Sequence, residues 1–319
     1  MLSPPSAGFL PSVKTHNVEL DRMAEWLEGC VTFVDDEVTM NEVKDVLMEE
    51  GLYRSQDFAQ ERIDDAWVEL KRRWTCLGNV GPYRVNKTKL VRTRKWDDAP
   101  AYAFCLTLGL QVAYRRTFLK RFKSPKGGID YTEQGELFER LTAEALQQRG
   151  WVTHSTGWSH AASDSVEEKI ELLADHLGEP AIPGAVPRWT QLRAKDAGLD
   201  VVCHVPFPDG WAGRPLYFVQ CASGENWREK RHTPDLRQWE KLIDFTTAPR
   251  RGLAHPFVVL EDAFRRYVNH DGLALVLDRH RLCRPVEHAT KDWISLGLSE
   301  ELNAWTRKRL AAVTDNICQ

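Results

Sequence analysis

The sequence predicts an α/β (α+β) fold: a mixed sheet flanked by helices, preceded by a mainly helical, winged-helix-like region. Three observations predict it. Beyond residue 130, short apolar runs rich in β-branched residues alternate with helix-period segments, the pattern of a sheet covered by helices. The first hundred residues instead carry three helix-period segments followed by a basic hairpin. Between the two regions, SPKGGID breaks the periodicity with a proline and a Gly-Gly pair. The boundary is therefore placed there, giving units of 1–124 and 125–319.

In the first unit, helices are expected over 18–27, 40–50 and 55–74. Thr39 is an N-cap and Gly51 a stop for the second, and Ile63, Ala66, Trp67, Leu70 and Trp74 recur at helical spacing in the third. In NVGPYRVNKTKLVRTRKW, Tyr83, Val85, Leu90 and Val91 are strand formers around a turn at 86–89. Three helices and a hairpin match the element order of a winged helix. On that reading Lys87, Lys89, Arg92, Arg94 and Lys95 are candidate nucleic-acid contacts on DNA phosphates. The alternative is a small helical domain whose hairpin carries ordinary solvated charges. One longer helix is expected over 102–122. Its basic end (Arg115, Arg116, Lys120, Arg121 and Lys123) suits a helix C-terminus, with phosphate contact as the other reading.

In the second unit the expected helices are 132–149, 166–177, 234–245 and 300–313. The expected strands are 151–158, 199–205, 216–221, 257–260 and 273–277. An acidic residue, Asp200, opens one apolar strand, and an amide, Gln220, ends the next. Both side chains would leave water at one end of a sheet unless something compensates them. A hard cation such as Mg²⁺ would, since it takes a few oxygen ligands and keeps several waters.

Composition bounds the alternatives. The chain has 319 residues, 42% of them hydrophobic, twelve Trp and a net charge of −3, with a pI near 6.4. There is ample material for a core and no compositional case for disorder. The seven cysteines form no Cys-x-x-Cys and no zinc spacing, so buried reduced thiols in a cytoplasm are expected. The start, MLSPPSAGFLPSVKTH, lacks the form of a secretory signal, and no membrane-spanning run is seen. Walker loops, nucleophile elbows and dinucleotide glycine fingerprints do not occur. His154 and His160 read as ordinary polar histidines, Asp196 as a turn residue, and Trp227 as core rather than a base-stacking platform.

Three short motifs follow one another: GELFE at 135–139, DAGLD at 196–200 and QCA at 220–222. On these the chain resembles the PD-(D/E)xK nuclease superfamily, and within it the Mrr-like restriction endonuclease branch. The core of the resemblance lies within 135–259. It implies a restriction-endonuclease-like domain and Mg²⁺-dependent cleavage of DNA, with Mn²⁺ able to substitute. Its biological setting would be prokaryotic, anti-phage defence, acting as a homodimer or with another defence-system subunit. Carried onto this sequence, the metal ligands would be Asp200, Gln220, the Cys221 backbone carbonyl and Glu139. The family pattern asks for lysine where Ala222 stands, and Lys230 is the candidate replacement, on a helix that starts near Glu225 and puts Asn226 and Lys230 on one face. The readings that remain beside it are a solvated Lys230, a nuclease fold that binds or senses nucleic acid without cutting it, and a ribonuclease effector.

Overall fold

The structure is a computed structural model that describes residues 1–5, 20–156, 166–189, 199–284 and 293–318. His160, Asp196, the start of the expected 18–27 helix and the end of the expected 151–158 strand lie outside those residues.

The first region runs α1 (Leu20–Gly29), a π turn at Cys30–Val34, β1 (Glu37–Thr39), α2 (Met40–Glu49), α3 (Gln56–Leu77), β2 (Tyr83–Val85) and β3 (Lys89–Arg92). The strands form an antiparallel sheet in the order β1-β3-β2, with Val38 opposite Leu90 and Val85 opposite Leu90 on the other side. The three helices and the hairpin expected in this region are present, with one further short strand added at the sheet edge. Strand β1, at three residues, was too short to show a period in the sequence. Both expected helix starts are built as side-chain caps. Thr39 and Glu42 form a reciprocal capping box, and Ser55 accepts the Phe58 N–H.

The chain continues with α4 (Pro100–Ala113), α5 (Arg115–Arg121), α6 (Thr132–Gln147), β4 (Val152–Ser155), α7 (Val166–Leu177) and α8 (Ala185–Trp189). After these come β5 (Val201–His204), β6 (Leu216–Cys221), α9 (Leu236–Trp239), β7 (Arg250–Ala254), α10 (Glu261–Asn269), β8 (Leu275–Leu277), α11 (Arg279–Cys283) and α12 (Leu296–Thr314). The five strands make a mixed sheet in the order β4-β5-β6-β7-β8: β4, β5 and β6 are antiparallel, and β6, β7 and β8 are parallel. The mixed sheet flanked by helices is thus present.

Several elements depart from expectation. The single helix over 102–122 is two, because Tyr114 leaves helical geometry at φ −105° and ψ 34°. The helix expected over 234–245 closes after one turn, and Leu242 and Ile243 are buried in turns instead. The strand expected over 257–260 is irregular chain. Phe257, Val258 and Val259 are buried there, while the strand itself is the preceding Arg250–Ala254.

One face of the sheet, through Val201, Cys203, Val219 and Cys221, joins α6 in the main core, which also contains residues of α1, α3, α4 and α12. The other face, through Val202 and Phe218, packs with α7 and Trp239. Helix α4 carries no charged residue and is buried on every side, as an all-round apolar helix must be, with α1 and α12 against it.

A group of charged side chains crosses this core. Glu28, Arg73 and Arg279 have no exposed surface, and Glu25 and Glu69 have 5% each. Glu28 accepts from Arg73 at 2.8 Å, from Arg279 at 3.2 Å and from the Tyr83 hydroxyl at 2.6 Å. Glu25 pairs with the other Arg279 nitrogen, and Arg73 also reaches Glu69 at 2.9 Å. Burial acts to raise the Glu28 carboxyl, but Arg73 and Arg279 hold it below its ordinary value. Gly109 on α4 makes the space, since a Cβ there would collide with the Glu25 carboxylate.

A smaller cluster around α10 holds His255 between Trp227, 4.3 Å away centre to centre, and Phe257. Neither ring nitrogen has a hydrogen-bond partner. Burial lowers its pKa from 6.5 to about 3, and the Phe257 backbone offsets only part of this. The folded state therefore binds fewer protons than the unfolded chain between those values. Stability held above pH 6.5 falls as pH drops toward 3, by up to about 1.4 kcal/mol per pH unit from this group. Urea unfolding at several pH values should show a shallower acid loss in His255→Phe; equal slopes in the two proteins would refute the assignment.

Candidate functional site

The strand register puts Val201 opposite Val219 and so brings Asp200 opposite Gln220 across adjacent antiparallel strands. Alternation gives these two side chains the same face. The carboxylate Oδ2 of Asp200 accepts the Gln220 side-chain amide and, at 2.6 Å, the backbone N–H of Cys221. Thr156 anchors the Asp200 backbone from the next strand, its N–H donating to the Asp200 carbonyl at 3.0 Å.

Gln220 is 5% exposed, and its Nε2 also donates to the Cys221 carbonyl at 3.3 Å. Its Oε1 lies 3.1 Å from the Thr233 hydroxyl, which is also 2.7 Å from the Lys230 carbonyl. Thr233 has a single proton. If it donates to the Lys230 carbonyl, its oxygen can accept from a turned Gln220 amide. The turned amide would present Oε1 toward Asp200 and the Cys221 carbonyl. Three oxygens would then face one another, an arrangement that a cation between them would stabilise, whereas the orientation present satisfies the same groups by hydrogen bonds alone. One carboxylate, one amide and one peptide carbonyl make a donor set suited to a hard cation that retains water. Among the described residues, no three His, Cys, Asp or Glu side chains are grouped to hold a metal ion.

The Cys221 thiol reports what else is near. Burial raises its pKa first, Asp200 and Glu139 raise it further, and Lys230 acts in the opposite direction. Asp200 touches both Gln220 and Cys221, and the charges of Glu139 and Lys230 act on the Cys221 thiol. Glu139 arrives from α6. This is the side of the sheet to which Val219 and Cys221 turn, where Thr142 also meets the thiol. Gln220 and Asp200 lie on the other parity of their strands. The two carboxylates thus approach the strand end from different sides.

Lys230 is not on the α-helix expected from 225. The segment turns through 225–228 and closes as a 3₁₀ turn over Glu229–His232, with the Lys230 N–H donating to the Trp227 carbonyl at 3.2 Å. In this geometry residues three apart align, so Lys230 shares a side with Trp227 rather than Asn226. Trp227 is 4% exposed and belongs to the core, as its reading required. Gln134 on α6 fixes the start of this segment through Ser223, at 3.4 Å, and is itself held by Gln111 of α4 at 2.8 Å. Thr156, Thr233, Gln134 and Gln111 carried no sequence signal, since each acts through a long-range hydrogen bond.

Replacing the amide by a carboxylate tests the cation argument directly. Gln220→Glu should tighten Mg²⁺ binding by about tenfold, because added ligand charge tunes affinity over decades at such sites. Isothermal titration with Mg²⁺ reads it, and unchanged or weaker binding would contradict the argument.

The hairpin's cations are unequal. Lys87 and Lys95 are exposed. Lys89 pairs with Glu37 at 2.8 Å, Arg92 with Asp36 at 3.2 Å, and Arg94 donates to the Asn79 carbonyl. The exposed face of α3 carries Asp57, Glu61 and Asp64, an acidic surface that phosphates would repel. At the basic end of α5, Arg115 pairs with Glu225 and Arg121 with Asp315. His154 stacks on His176 at 4.5 Å and lies 6.0 Å from His204, consistent with a polar cluster beside the sheet. All seven cysteines are free. Among the described residues, no helix is long and apolar enough to cross a membrane.

No protein-family model matches the chain, and no curated protein matches it significantly. Among solved structures, a match is found to the restriction endonuclease FokI bound to DNA, at 10% sequence identity and a TM-score of 0.21. The match covers 92% of this chain and 47% of that one, so this chain spans about half the length of its structural neighbour.

Proposed function

We propose that this protein is a Mg²⁺-dependent endonuclease that hydrolyses DNA phosphodiester bonds. The observation that carries the reading is Asp200 facing Gln220 across β5 and β6 and accepting from its amide and from the Cys221 N–H. Asp200, the Cys221 carbonyl and a turned Gln220 amide would hold the cation, with Glu139 joining through water. When bound, the cation supplies Lewis acidity toward the phosphoryl oxygens and lowers the pKa of a bound water. Lys230 orients the attacking water and stabilises charge developing on the phosphorus oxygens. Thr233 and Thr156 keep the amide and the carboxylate in place. Lys87 and Lys95 of the wing are the cations best placed to meet a DNA backbone, with Arg94, Lys89 and Arg92 available once their present partners exchange. A role in anti-phage defence, as a homodimer or beside another subunit, belongs to the same proposal.

Incubation of supercoiled plasmid with purified protein and Mg²⁺ tests it: nicked or linear DNA is expected, blocked by EDTA. Digestion of RNA in its place would make the protein a ribonuclease. A second reading has its own support: Ala222 stands where the family lysine would be, and the Gln220 amide already bridges Asp200 and the Cys221 carbonyl. On that reading the fold binds nucleic acid without cutting it, and plasmid would be retarded on a gel but remain supercoiled.

A further inference from the structure

A cavity of about 490 Å³ opens between α3, the end of α6 and the α10–α11 segment, built from residues other than those of the Asp200 site. Four guanidinium groups line it: Arg72, Arg149, Arg281 and Arg284. The acidic groups beside them are fewer, and one of them holds a lining guanidinium: both bonds from Arg72 to Glu69 measure 2.7 Å. Glu261 pairs with Arg265, and Glu69 is shared between Arg72 and Arg73. Asp278 is 8% exposed and accepts the Arg281 N–H at 3.0 Å; burial raises its pKa, with the charges of Arg281 and Arg72 acting against the rise.

Among the described residues, Arg149 is matched with no carboxylate. It donates to the backbone carbonyls of Ala145, Arg281 and Arg284, the last at 2.8 Å, and burial and then Arg281 act against its charge. His280, 6% exposed, lines the same cavity and leaves Nε2 without a partner. One wall is apolar: Phe264 lies 4.5 Å beneath the Arg281 guanidinium, beside Val259.

Guanidinium in excess of carboxylate in a partly buried space favours a phosphate, which several forks can grip at once. An aromatic wall capped by a guanidinium favours a flat ring beside that phosphate. The volume falls within the range of small-molecule sites. We propose that this cavity binds a nucleoside monophosphate, its phosphate held by Arg149, Arg72 and Arg284 and its base against Phe264 with a hydrogen bond to His280. The walls come from α3 of the first region and from the segment that carries Arg279, so the occupant would bridge both regions.

The test is calorimetric titration of the full chain carrying Asp200→Asn, in EDTA, with AMP, GMP, CMP and UMP, their nucleosides and inorganic phosphate. These conditions keep the Asp200 site out of the measurement, and the outcome does not depend on whether the protein is a nuclease. At least one monophosphate should bind in the micromolar range, with its nucleoside and inorganic phosphate at least about tenfold weaker. Arg149→Gln should weaken binding by about tenfold or more. Arg72→Gln, at a side chain 40% exposed, serves as the second variant should Arg149→Gln fail to fold. Absence of binding by all four monophosphates up to millimolar concentration overturns the proposal. So does equal binding of inorganic phosphate, or unaltered affinity in a folded variant.

Discussion

Asp200→Ala should abolish plasmid cleavage, lowering the rate by about three orders of magnitude while leaving the protein folded. The carboxylate is the only acidic side chain in direct contact with both Gln220 and the Cys221 N–H among the described residues. Its loss removes the one negative ligand that the turned Gln220 amide and the Cys221 carbonyl could share with a cation. The same change strands the Cys221 N–H, costing about 1–3 kcal/mol. Circular dichroism melts must therefore accompany the kinetics. Asp200→Asn, which preserves size and an acceptor, separates the two effects: it should melt close to the parent yet remain inactive. Cleavage persisting in both variants would mean that the chemistry lies elsewhere or belongs to a contaminant.

The second large effect is on stability. Arg279→Met should destabilise the protein by about 3–5 kcal/mol, because it leaves Glu25 and Glu28 short of a partner in a water-free core. A lowering of Tm by roughly 10 °C is the corresponding shift for a chain of this size. Glu28→Gln should act in the same direction, since it weakens the links to both Arg73 and Arg279. Neutralising both sides together, with Glu25→Gln, Glu28→Gln and Arg279→Met, should cost less than the sum of the separate changes. Thermal melts and urea titrations check each case, and a loss below about 1 kcal/mol for Arg279→Met would show that the network is not a fully buried one.

The sequence made much of the site's framework legible. Apolar runs ended by a single polar residue marked Asp200 and Gln220, and the pairing of β5 with β6 brings them face to face. Helix α2 follows from its cap and its periodicity, and α6 and α7 from periodicity alone, all of it under local control. Strand β7 was hidden because it opens Arg-Arg-Gly and gains its order from parallel neighbours on both sides. Phe257–Val259 reads as a strand by composition, but those side chains fill the cluster around Trp227 from irregular chain. Lys230 was legible as a residue type; its 3₁₀ setting was not, since Thr233 and Trp227 hold it through contacts that no period encodes. The buried ion pairs were hidden for a related reason. Glutamate and arginine at helical spacing look like a wetted face until a partner 251 positions away is brought alongside.

Helix α4 carries one more consequence. Its sides are divided between neighbours from the beginning and the end of the chain. Severing the polypeptide in the Ser-Pro-Lys-Gly-Gly link would leave each fragment with a bare greasy groove or rod. Either piece produced alone should aggregate, whereas the two made together should find each other and reassemble. Transplanting residues 1–124 into another chain would accordingly have to carry the terminal helix along with them.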